Sequence, residues 1–76
     1  MNVTRPQNIG LIDWSDQVAL DLAQYGVIPK VHSESEWQDW GAAVSRLPQI
    51  SRANPPNPYA YADWKTWADF FCGAIV

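Results

Sequence analysis

His32 stands beside Ser33, Glu34 and Ser35, and a histidine next to hydroxyls and a carboxylate is the raw material of nucleophilic catalysis. The four are consecutive, however, and a Ser/His/acid constellation works only when its members converge in space from a rigid frame. His32 is therefore expected to be a solvated side chain of a link, and no catalytic residue is assigned. Metal chemistry is no better supplied. One cysteine, Cys72, and one histidine lie 40 residues apart (72 − 32), too few ligands for a structural zinc site, and the aspartates lack the spacing of a calcium loop. Gly10, Gly26, Gly41 and Gly73 stand singly, so no glycine-rich loop is present to cradle a phosphate. The expectation is a non-enzymatic chain with no cofactor and no metal.

The residues that stand out instead are aromatic. Trp37 and Trp40, and again Trp64 and Trp67, are spaced three apart, and each pair follows an acidic residue, Glu36 or Asp63. Such pairs can stack on a sugar, hold a cation or anchor a protein partner. The same spacing is what one face of a helix requires if the rings form a core. A third possibility lies between these: the rings are buried against another chain. It gains from size, because for 76 residues the gain from apolar burial and the cost of ordering the chain come out nearly equal.

Positioning these rings takes helices. Asp13-Trp14, Glu36-Trp37 and Asp63-Trp64 open three segments of similar pattern, an acidic residue, a tryptophan, two mostly polar residues, a large side chain and a small one. The tryptophans begin 23 and 27 residues apart (37 − 14 and 64 − 37), too irregular for a stacked solenoid, so one helix-start solution is used three times. Helices are predicted over 13–25, 35–47 and 63–75. Their apolar stripes are Trp14, Val18, Leu22 and Tyr25, then Trp37, Trp40, Val44 and Leu47, then Trp64, Trp67, Phe71 and Ile75. Ser35 to Gln38 reads as a capping box, and Asp13 and Asp63 as cap or first-turn carboxylates. Gly26, Pro48 and Gly73 are the expected stops or loosening points.

The remainder is expected to be linkage. Residues 48–62 hold four of the six prolines and predict an extended, proline-rich strap whose Tyr59 and Tyr61 pack back on the helices. Residues 27–35 form a shorter link in which "VIPKV" could pair as a strand, and residues 1–12 a flexible arm. The fold class that follows is mainly α: three short amphipathic helices joined by extended links, in a single small domain over residues 1–76.

Charge and hydropathy narrow the partners. With a net charge of −3 and five basic residues scattered singly, the chain lacks the clustered cations that bind a phosphate backbone, so no nucleic acid is expected. The apolar run from Phe70 to Val76 is far short of a membrane span, no targeting segment is apparent, and the single cysteine cannot form an internal disulfide. Trp14, Trp37, Trp40, Tyr59, Tyr61, Trp64, Trp67 and Phe71 are the candidate protein-binding residues.

The stretch "NPPNPYAYADWKTWADFF", from Asn54 to Phe71, resembles the D-W-x-x-W-A segments of small virion proteins of tailed bacteriophages. That resemblance covers about a quarter of the chain and supplies no catalytic residues. It implies a structural component at a capsid, neck or tail interface, made in the host cytoplasm, clamped onto larger virion proteins or self-associated in a symmetric assembly. Residues 1–35 carry no such resemblance. Two alternatives remain open at this point: a small acidic inhibitor or regulator of a host or bacterial enzyme, and a carbohydrate-binding module.

Overall fold

A computed structural model of the chain describes residues 8–26 and 30–75. Four α-helices follow one another: α1 (Leu11–Leu22), α2 (Trp37–Ser45), α3 (Pro48–Ser51) and α4 (Trp64–Ile75), with 3-10 turns at Ala23–Tyr25, Glu34–Glu36 and Pro58–Ala60. The fold is mainly α, and the described residues contain no strand. None of the described helices is long and apolar enough to cross a membrane.

Helix α1 begins earlier than its acidic residue suggests. Gly10 is the N-cap and Asp13 falls inside the first turn, where a carboxylate complements the free amides and the helix dipole. Leu11 is fully buried and Ile9 packs on the core, so residues 9–12 do not belong to the expected arm over 1–12; residues 1–7 lie outside the described ones. The helix narrows to a 3-10 turn at Ala23 and stops at Gly26, whose φ of 132° and ψ of −169° fall in a region that essentially only glycine occupies.

The second helix does not form the expected capping box. Glu34–Glu36 is a 3-10 turn, Ser33 and Ser35 bond each other through their hydroxyls at 2.9 Å, and no side chain caps Trp37. Glu36 instead accepts the backbone N–H of His32 at 3.0 Å. The helix proper thus starts two residues after Ser35. Helix α2 ends at Ser45, and Leu47 is extended before Pro48.

Pro48 stops one helix and starts another. Its ring fixes φ near the helical value and its missing N–H is not needed in the first turn, so Pro48–Ser51 closes as a short helix where continuous extended chain was expected. Within the strap, Asn57 and Tyr61 are extended, and Pro58–Ala60 between them is again a turn, with Asn57 Oδ1 accepting the Tyr59 N–H at 3.1 Å. The proposed "VIPKV" strand falls largely on residues 27–29, outside the described ones, and Val31 at its end is buried in the core.

Asp63 caps α4 as its position suggests. One carboxylate oxygen accepts the Thr66 N–H at 2.8 Å and the other the Thr66 hydroxyl at 3.0 Å. These bonds to the charged form, first the backbone one, hold the Asp63 carboxyl below its ordinary value of 3.8. A carboxylate of lowered pKa contributes stability that is complete above the unfolded value and lost as pH falls through the folded one. Melting temperature is therefore expected to fall as pH drops below about 4, and this part of the acid slope should be missing in Asp63→Asn, which keeps the acceptor but not the charge. Thermal melts of both proteins between pH 3 and pH 6 check this. Parallel curves would show that the cap has no part in the acid response.

Helices α1, α2 and α4 close on a single core of Leu11, Trp14, Val18, Leu22, Val31, Trp37, Trp40, Val44, Ile50, Trp64, Trp67, Ala68, Phe71 and Cys72. The accessible surface is 4566 Å², close to the roughly 4,700 Å² expected of a compact monomer of this mass. Folded on itself, the chain thus reaches the compactness of a monomer of its mass.

Candidate functional site

All five tryptophans meet in one cluster. Trp14, on α1, lies edge-to-face against Trp40 at 5.5 Å, stacks on Trp64 at 5.6 Å, and meets Trp67 at 6.1 Å and Phe71 at 6.4 Å. Trp67, on α4, adds Trp37 and Trp40, each at 5.9 Å, and stacks on Phe71 at 4.7 Å. Offset-stacked and edge-to-face pairs at these separations are the favoured ones, each contributing about 0.5–1.5 kcal/mol beyond its burial. Helical spacing is what makes this possible: Trp64, Trp67 and Phe71 fall on one face of α4 at intervals of three and four.

Six of the eight residues expected to anchor a partner are thus brought together facing one another. Trp14, Trp67 and Phe71 have no exposure, and Trp37, the most accessible of the six, has 8%. Within the chain their faces are covered by neighbouring rings. Tyr59 and Tyr61 are placed elsewhere, on the strap. Tyr59 is 56% exposed and its hydroxyl donates to Asp39 Oδ1 at 2.5 Å; Tyr61 is half-buried against Phe70 at 5.8 Å.

The strap is seated on the cluster. Trp67 Nε1 donates to the Pro56 carbonyl at 3.0 Å, and Pro58 is buried at Gly41, where a Cβ would stand 3.2 Å from the proline ring and 3.1 Å from Trp67. A Cβ at position 41 would press on both rings, and one of them would have to give by a few tenths of an ångström. The Asp39 bond stabilises the protonated Tyr59 hydroxyl and raises its pKa above the ordinary 10.0, so the hydroxyl still donates at neutral pH.

Outside the core, an open cleft of about 290 Å³ is lined by Lys30, Glu36, Asp39 and Trp40. Lys30 reaches Asp16 at 3.7 Å across the surface, an exposed pair that contributes little. His32 is exposed, and no group of three metal-ligating side chains is found among the described residues.

Among the described residues the exposed large apolar side chains are Phe70 at 57%, Leu20 at 78% and Ile12 at 42%, with Tyr59. None of the first three was singled out from the sequence. Phe70 was within reach of the helical pattern, since it follows Asp69 and precedes Phe71, and two adjacent positions of a helix point about 100° apart. Only one of the two can join the stripe of Trp64 and Trp67. No protein family, curated protein or solved structure matches the chain.

Proposed function

We propose that this is a non-enzymatic structural or interaction protein, a minor component of a tailed-phage virion that clamps onto larger proteins. The observation that carries the reading is the aromatic surface left over once the tryptophans are inside: Phe70, 57% exposed, beside Tyr61. Large exposed aromatics on a rigid helix are favoured interface anchors, since they bring contact area at small entropic cost. The anchors are therefore Phe70, Tyr61 and Tyr59 rather than the buried tryptophans. A net charge of −3 favours a partner face of opposite sign, and the Asn54 to Phe71 resemblance supports the virion setting.

Mass spectrometry of purified particles is expected to detect the protein as an integral component. Phe70→Lys is expected to lower its incorporation by about tenfold or more, the effect of losing one hot-spot side chain, with an unchanged melting temperature. Absence from particles would overturn the virion setting and leave the acidic-inhibitor reading. Undiminished incorporation of Phe70→Lys would remove this surface as the anchor.

A further inference from the structure

The left-handed turn at Asn54 divides the described residues into a body, up to residue 53, and an arm, residues 54–75. Within the arm, Trp67 bonds Pro56, Asn57 bonds Tyr59, the Ala60 and Tyr61 amides bond back to Asn57 and Pro58, and Asp63 caps α4. No backbone-to-backbone bond among the described residues crosses from Pro55–Ile75 to the body. Tyr59 to Asp39 crosses as a side-chain bond at the surface. Packing seats the arm on the body: Trp64, Trp67 and Phe71 against Trp14, Trp37 and Trp40, and Pro58 against Gly41. Contacts of this kind have the same geometry whichever copy of the chain supplies the arm.

The covalent link is the turn that ends α3, and it is set against its own preference. Asn54 has φ of 56°, the one non-glycine residue in the left-handed region among those described. It also precedes Pro55, and a residue before proline is pushed by the proline ring toward extended backbone. The left-handed turn folds the arm back onto its own body; the extended alternative carries it away. Hinges strained in the closed form are where arms exchange.

We propose that the arm, residues 54–75, exchanges reciprocally between two copies of this chain, so that each arm completes the aromatic core of the other copy. Nothing in this rests on the Phe70 surface, and the two readings fail separately. Exchange needs the arm to leave a buried core, so it is set during folding and then persists.

The test is refolding of the full chain from denaturant at about 1 µM and about 1 mM, followed by size-exclusion chromatography with light scattering. A dimer with the monomer's near-ultraviolet circular dichroism is expected at the higher concentration. Asn54→Val, which keeps the N–H but disfavours positive φ, should raise the dimer-to-monomer ratio about tenfold or more; Asn54→Gly, at ease in the closed turn, should lower it. If Asn54→Val fails to fold, the Asn54→Gly comparison decides alone. A chain that stays monomeric, or a dimer fraction indifferent to residue 54, overturns the proposal; in the second case the copies meet through another surface.

Discussion

Trp67→Ala is expected to remove about 4–6 kcal/mol, a large part of the stability that holds the chain folded at 25 °C. The indole has no exposure and meets Trp14, Trp37, Trp40 and Phe71 at centroid distances from 4.7 to 6.1 Å. Truncating a buried tryptophan costs about 3–5 kcal/mol, because the neighbouring side chains cannot collapse fully into the space. The Pro56 carbonyl loses its donor as well, which adds about 1 kcal/mol at a partly buried site. Against this stands a total stability of about 4–11 kcal/mol for a chain of this length. Urea unfolding followed by far-ultraviolet circular dichroism measures the loss. Trp67→Phe separates the two terms, since it keeps a ring but removes the donor, and it should fall between the wild type and the alanine variant. A Trp67→Ala midpoint equal to that of the wild type would mean that the cluster does not hold the fold.

Gly41→Val is expected to destabilise the protein by about 3 kcal/mol, the upper part of the range for overpacked cores. On an open helix the substitution of glycine would help, since glycine lies about 1 kcal/mol below alanine in helix preference. Here the new Cβ meets Trp67 Cζ2 at 3.1 Å and Pro58 Cβ at 3.2 Å, both on rigid, buried rings. Neither ring can swing aside, because Trp67 is packed on four rings and Pro58 is fixed by its own backbone. The two added methyls of valine must then displace the strap, and the Tyr59 to Asp39 bond goes with it. Gly41→Ala should lie between glycine and valine in an equilibrium urea titration. An alanine variant stabilised by the full propensity gain would show that the slot is elastic.

The helical stripes were legible because they depend on a period, and a period survives in sequence. Trp14, Val18 and Leu22, then Trp37, Trp40 and Val44, then Trp64, Trp67 and Phe71, are all buried. What faces them was not legible, since a stripe says which side is apolar but not whether the cover is another helix or another chain. The strap departs from the expectation for a local reason. Proline signals extended chain in a run, but Pro48 and Pro58 each stand at the first position of a helical turn, where a fixed φ favours the turn. Ser35 failed as a cap because Ser33, two residues earlier, opens a 3-10 turn first. The seat of Pro58 at Gly41 joins positions 17 apart (58 − 41), and no local pattern announces such a contact.

The gathering of all five indoles into one cluster also sets how the protein responds to light. Trp14 and Trp64 are stacked at 5.6 Å with planes 24° apart, close enough for their transition dipoles to couple, and the others lie within one ring of this pair. At these separations excitation is expected to pass between indoles, so near-ultraviolet emission and circular dichroism should report on the packing of the cluster rather than on the surroundings of one residue.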